Sequence, residues 1–163
     1  MTSSIIPNTS SQAIEDTQFM QLALALAKEA ASLGEVPVGA VIVKNGKVIG
    51  QGANAPIRLN DPSAHAEMLA IRHAASHLGN YRLVDCTLYV TLEPCGMCAG
   101  VIQHARISRL VYGAHDPKTG ACGSVINLMH EPMLNHHTQM QSGLMAEDCA
   151  HVLRSFFADR RKK

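Results

Sequence analysis

Apolar residues recur at helical spacing early in the chain. Phe19, Leu22, Ala23, Leu26, Ala30 and Leu33 predict a helix with one core-facing stripe. It starts between Ser11 and Thr17, where Ser11, Asp16 and Thr17 can each cap it, and it stops at Gly34. From Val38 to Val43 the pattern becomes an almost unbroken apolar run, which suits a strand buried on both faces. Asn45-Gly46 is a two-residue hairpin signal, so Lys47 to Gly52 returns antiparallel. A second helix, His65 to Leu78, turns Met68, Leu69, Ile71, Ala75 and Leu78 inward and ends at Gly79. Cys86 to Leu92 alternates apolar residues with Thr, Tyr and Thr, a strand with one drier face. A third helix, Cys95 to Ala105, and a short strand, Arg109 to Gly113, follow. Ser124 to Met145 holds a short helix near Val125 to Met129 and a brief strand near Thr138 to Gln141. The last helix, Ala146 to Arg160, carries Cys149, Val152, Leu153, Phe156 and Phe157 on one stripe.

This order predicts a three-layer α/β/α domain, a mixed sheet of about five strands with helices on both faces. With 163 residues the chain makes one domain over 12–163, and 1–11, rich in Ser, Thr and Asn, is expected to be a disordered tail. The formal charge of +1 gives no global nucleic-acid signal. RNA binding would need a local basic patch, for which Arg160-Arg161-Lys162-Lys163 is a candidate. No apolar run reaches membrane-spanning length and no signal-peptide core follows the start, so no membrane partner is expected.

Candidate chemistry gathers in His65-Ala66-Glu67 and in Thr91 to Gly100. One histidine and two cysteines are ligands that suit Zn²⁺. Cys95 and Cys98 share a helix face just after Pro94, and the helix start favours their thiolates. Three protein ligands leave one tetrahedral position open, as in a catalytic zinc. Mid-helix, His65 and Glu67 would point about 200° apart. Both can face one ion only if His65 sits where the backbone is not yet helical. A carboxylate beside the ion, but not bound to it, can take a proton from an activated water and pass it on. Three cysteines remain: Cys86, Cys122 and Cys149. They read as small buried hydrophobes, and their odd number points to a reducing cytoplasm rather than a disulfide framework.

His-x-Glu followed by Pro-Cys-x-x-Cys resembles the cytidine/deoxycytidylate deaminase superfamily. Val36 to Val41, Asp61 to Glu67, Asn80 to Leu83, Thr91 to Gly100 and Gly113 to Gly120 are similar to the bacterial tRNA-specific adenosine deaminases within it. The similarity runs from about Phe19 to Phe157. It implies hydrolytic deamination of adenosine to inosine at the wobble (first anticodon) position of a tRNA, an arginine tRNA foremost. It implies one Zn²⁺ per subunit on His65, Cys95 and Cys98, with Glu67 as the catalytic proton shuttle, and a homodimer acting on the anticodon loop. It also implies substrate contacts at Asn54, Asp116, Lys118 and Asn135, while Ala55 departs from the long or charged residue common in relatives. By residue type alone, Asn54 is a turn residue and Ala114 to Gly123 a solvated loop as readily as a binding loop. Met97, Leu128 and Met129 are candidates for the dimer contact or for the core. His73 with His77, and Asn135-His136-His137, have metal-like spacing but read as surface.

With few aromatics, recognition leans on hydrogen bonds and loop shape, and the target base must be unpaired. Two other readings compete. One is a deaminase of a small free base or nucleoside, such as guanine, cytosine or cytidine. The other is a structural zinc protein, which needs a fourth ligand, His104 or Cys122, and leaves Glu67 without a role.

Overall fold

Asn45 and Gly46 take φ of 52° and 74°, the left-handed pair a tight hairpin turn requires. They join strands β1 (Gly39–Lys44) and β2 (Lys47–Ala53) as expected. The structure is a computed structural model that describes residues 5–162, with side chains from 11 onward. Residues 1–4 of the expected tail lie outside the described residues.

Helix α1 (Ile5–Ser32) precedes the hairpin, and α2 (Pro56–Leu59) and α3 (Ala66–Leu78) follow it. Then come β3 (Thr87–Leu92), α4 (Gly96–His104) and β4 (Arg109–Ala114). A 3₁₀ turn (Leu128–His130), β5 (Gln139–Ser142) and α5 (Ala146–Arg161) complete the fold. The sheet order is β2-β1-β3-β4-β5. β1 is antiparallel to β2 and β3, and β4 is parallel to β3 and β5.

Alternate residues of the central strands feed two cores, the expected three layers. Ala40, Ile42, Leu88, Val90 and Leu110 pack with Ala66, Ala70, Ala99 and Ile102 of α3 and α4. Val41, Val43, Tyr89 and Val111 pack with Met20, Ala23 and Cys149 of α1 and α5. Each large side chain so buried contributes roughly 1.5–3 kcal/mol.

Four expectations are corrected. Helix α1 is already formed at Ile5, ahead of the Ser11–Thr17 start. Its inward stripe is rotated: Met20, Ala23, Leu24, Ala27 and Ala30 are buried, while Leu22 and Leu33 are about half exposed. The reason is close contact with β1, since a Cβ on Gly39 would lie 2.0 Å from the Ala23 carbonyl oxygen. Small residues must line that contact and larger ones flank it. Strand β3 has no wetter face, because α1 covers Tyr89 and Thr91 is buried. The short helix sits later than Val125, at Leu128–His130, with Met129 in the core, one of the two places open to it.

Asp16 does not cap α1. Its carboxylate accepts the Tyr89 hydroxyl at 2.6 Å and two Arg109 N–H groups at 2.9 and 2.6 Å. This ties α1 to β3 and β4 from inside the protein.

The strand directions gather the loops that matter. β2, β3 and β4 all run the same way, so Ala53, Leu92 and Ala114 end at one rim of the sheet. Sites in α/β sheets collect at such carboxyl ends. On β2, a Cβ on Gly52 would lie 2.4 Å from the Ala66 carbonyl oxygen, and one on Gly50 2.5 Å from that of Ala70. The glycines let α3 lie flush on the strand, which fixes its first turn at that rim.

Breaking the Asp16 network should cost about 3 kcal/mol, since it leaves a half-buried guanidinium and the buried Tyr89 hydroxyl without their carboxylate. Thermal melts of Asp16→Ala should show a Tm lower by roughly 10 °C. Burial pushes the Asp16 carboxyl up, but the bonds from Arg109 and Tyr89 outweigh it and hold it below its ordinary value. A depressed carboxyl stabilises above the ordinary carboxylate range and loses that contribution as pH falls through the folded value. The gap between parent and variant should therefore be full at neutral pH and close below about pH 4. A pH-independent gap would show that packing, not charge, carries the effect.

Candidate active site

Helix α3 starts one residue after His65, whose backbone is extended at φ −73° and ψ 153°. Asn54, from the end of β2, accepts the Ala66 N–H on its Oδ1 at 3.0 Å. It thus satisfies a helix-start donor that His65 does not cap. His65 stands outside the helical rotation, so it and Glu67 converge on Cys95 and Cys98.

The cysteines arrive from the other side. Cys95 is the extended residue before α4 and Cys98 lies one turn into it. The His65 Nδ1 is 3.6 Å from Cys95 Sγ and 3.5 Å from Cys98 Sγ. Among the described residues these three alone form a cluster able to hold a metal ion. The donor set fits zinc. Ordinary Zn–N and Zn–S bonds at a tetrahedral angle put nitrogen and sulfur about 3.6 Å apart. Neither His104 nor Cys122 joins the cluster, so the fourth ligand of the structural alternative does not materialise.

The electrostatics suit the ligands. Hydrogen bonds from Cys98 and His65 bring the Cys95 thiol down to about 3. The same bond, and then burial, pushes Cys98 far above the usual thiol range. The bond to Cys95 raises His65. Glu67 is buried, and desolvation lifts its carboxyl to about 7, beside a hydrogen bond with Cys98. A carboxyl poised near neutrality, next to a three-ligand cluster, can both take and return a proton.

Two further buried carboxylates shape the rim, and neither was expected as a site residue. Glu35 accepts the backbone N–H groups of Ile57 and Arg58 at 3.2 and 2.7 Å, which holds the start of α2 beside Asn54. Glu93 lies between β3 and Pro94 and accepts the N–H groups of Asp116, Cys122 and Ser124, each at 3.0 Å. It also accepts the Ser124 hydroxyl. Burial pushes the Glu93 carboxyl up, but these donors outweigh it and hold it below the ordinary range. The available signal was a single carboxylate within an apolar stretch.

The remaining expected contacts are spread out. The Asp116 carboxylate accepts from Lys118 N–H, Thr119 N–H and the Thr119 hydroxyl, closing its own loop. Lys118 is exposed and lines a groove of about 680 Å³ with Leu153, Arg154, Phe157, Arg160 and Arg161. That groove is not lined by the metal cluster, but its basic and aromatic walls are the local patch that the overall charge does not reveal. Asn135 is exposed and precedes β5, whose first residue pairs with Arg109 at the opposite rim. The structure does not bring it to the cluster of its own chain. His136 and His137 bond the carbonyls of Ile107 and Glu131 through Nε2, so neighbouring backbone takes up both rings. His73 and His77 are exposed. Cys86, Cys122 and Cys149 are buried, as expected of small hydrophobes.

Comparison with known proteins agrees with this geometry. Residues 13–114 match the cytidine and deoxycytidylate deaminase zinc-binding region. A tRNA-specific adenosine deaminase of Haemophilus influenzae is 50% identical over 149 residues, 91% of this chain and 86% of that one. A solved structure from a study of A-to-I editing by tRNA:A34 deaminases at the wobble position superposes with a TM-score of 0.82 at 48% identity, covering 84% of this chain and 99% of that one. A Bacillus subtilis guanine deaminase superposes with a TM-score of 0.60 at 36% identity, covering 88% and 92%. With its metal cluster, buried glutamate and near-full-length similarity, the chain belongs to the tRNA-specific adenosine deaminases, a branch of the zinc-binding cytidine and deoxycytidylate deaminase family.

Proposed function

We propose that the protein hydrolyses adenosine to inosine at the wobble position of a tRNA anticodon, an arginine tRNA foremost. The observation that carries this reading is a buried Glu67 beside a His65–Cys95–Cys98 cluster with only three protein ligands. The names of the relatives support tRNA as the substrate, and the wobble editors support the position. His65, Cys95 and Cys98 hold one Zn²⁺, which when bound makes water a competent nucleophile at neutral pH.

The rest of the chemistry belongs to the chain. Glu67 accepts a proton from the attacking water and delivers it to the adenine N1 as the C6–O bond forms. It then takes the proton of the new C6 hydroxyl and passes it to the departing amine as the C6–N bond breaks, leaving the C6 carbonyl of inosine and releasing ammonia. Burial keeps its two protonation states close in free energy, so neither transfer is strongly uphill. Asn54 has committed its oxygen to α3 and offers its amide donors to the base or ribose. Asp116 shapes the 114–120 loop, and Lys118 with the α5 arginines receives phosphates. A stacked base cannot enter the site, so the target is splayed from a loop.

The assembly is a homodimer. Val125, Ile126, Met133 and Leu134 are exposed apolar residues near the 3₁₀ turn, and Met97 adds one at α4. Because Asn135 sits at the opposite rim from its own cluster, it serves a substrate on the second copy. No described helix is long and apolar enough to cross a membrane. Cys86, Cys122 and Cys149 are buried thiols outside the metal cluster, and the compartment proposed for the protein is the cytoplasm.

The structural kinship with guanine deaminase keeps a second reading: the same chemistry on a small free base. An anticodon stem-loop with adenosine at the wobble position, assayed beside free adenosine, cytidine and guanine, separates the two. Inosine should form in the stem-loop. Ammonia from a free base, with the stem-loop untouched, would move the protein to the small-substrate branch. Glu67→Ala should lower kcat by roughly 10²–10⁴-fold while zinc content stays unchanged. Near-normal turnover would remove the shuttle role. Elemental analysis should find one zinc per chain in the parent and in Cys122→Ser, and little in Cys98→Ala. Zinc loss from Cys122→Ser would instead place that thiol among the ligands.

A further inference from the structure

The Glu93 carboxylate has a job beyond filling space. Its side chain is fully buried and belongs to the turn that delivers Cys95. Its Oε1 accepts the Asp116 N–H and the Ser124 hydroxyl, and its Oε2 accepts the Cys122 and Ser124 N–H groups. The His115 Nδ1 lies 3.6 Å from Oε1. The whole 114–124 loop is wrapped around this one group. Gly120 makes the wrapping possible, since a Cβ there would lie 2.4 Å from the Glu93 carboxyl carbon. The loop is also stitched to the cysteine turn directly: Ala121 N–H donates to the Pro94 carbonyl at 2.9 Å, and Gly120 pairs with Cys95 in an isolated bridge.

We propose that Glu93 is a positioning residue for the substrate: it fixes the loop carrying Asp116 and Lys118 at a set distance from the metal-ligand turn, and so sets RNA affinity. This rests on the reading of that loop as part of the RNA site. Glutamate is required because all four of its hydrogen bonds are accepted from donors: the Asp116, Cys122 and Ser124 N–H groups and the Ser124 hydroxyl. Glutamine has the same shape, but its amide nitrogen would face N–H or O–H groups with a further donor. The loop must then shift, while the cluster of His65, Cys95 and Cys98 does not depend on the substituted atom.

The test is steady-state kinetics of Glu93→Gln on the anticodon stem-loop, with zinc measured on the same samples. KM should rise about tenfold or more, with kcat within about threefold of the parent and zinc unchanged. A fall in kcat at unchanged KM, or loss of zinc, would mean that Glu93 acts through Cys95 and would overturn the proposal. Lys118→Ala, measured in parallel, separates two failures. If it raises KM and Glu93→Gln does not, the positioning role falls while the loop remains part of the RNA site. If neither raises KM, the reading of the loop falls and takes the proposal with it. Should Glu93→Gln not fold, Ser124→Ala removes one donor from the same carboxylate and should raise KM about threefold. An unchanged KM in that variant would overturn the proposal equally.

Discussion

His65 is extended and Ala66 is helical, and this change of backbone between neighbours is what the site is built on. Within a regular helix, residues two apart face away from each other. Stopping the helix one residue short lets a ligand and a proton carrier approach one point. The stop is held by Asn54, which fills the first vacancy in the α3 ladder from the end of a neighbouring strand. The sheet's strand order makes that neighbour available, since β2 and β3 end at the same rim although β1 lies between them.

Four buried carboxylates divide the labour. Asp16 and Glu93 are surrounded by donors and held ionised, which ties elements together. Glu35 likewise collects two backbone N–H groups. Glu67 is the exception. Few donors compensate its burial, so its charged form is costly and its proton is exchangeable. The contrast separates scaffold from chemistry: a carboxylate that is fully paired holds structure, and one left under-paired can carry a proton.

Much of this was legible in the chain. The hairpin at Asn45-Gly46, the metal residues and the need for His65 to precede its helix follow from turn chemistry, ligand type and helical geometry. The roles of Asp16, Glu35 and Glu93 do not. Asp16 near a helix start looks like a cap, and its partner Arg109 is far along the chain. Glu93 gathers donors from residues that come together only when the 114–124 loop folds back. The inward face of α1 does not follow its leucines, because Gly39 lets the strand approach so closely that alanines mark the contact. Local pattern reports periodicity and caps. It is silent on which distant groups complete a buried charge.

The glycines of β2 have a mechanical consequence. With α3 seated on bare strand backbone at Gly50 and Gly52, there is no side-chain layer between them to slide or compress. His65 and Glu67 therefore move with the sheet as one solid piece. The opposite wall is built differently: residues 115–124 form no regular strand or helix, and hydrogen bonds to one side chain and to the cysteine turn pin them, with Ala121 and Cys122 buried in the core. The floor is set by backbone contact and the wall by one buried carboxylate, so a change at Glu93 is felt in the loop while His65 and Glu67 stay seated.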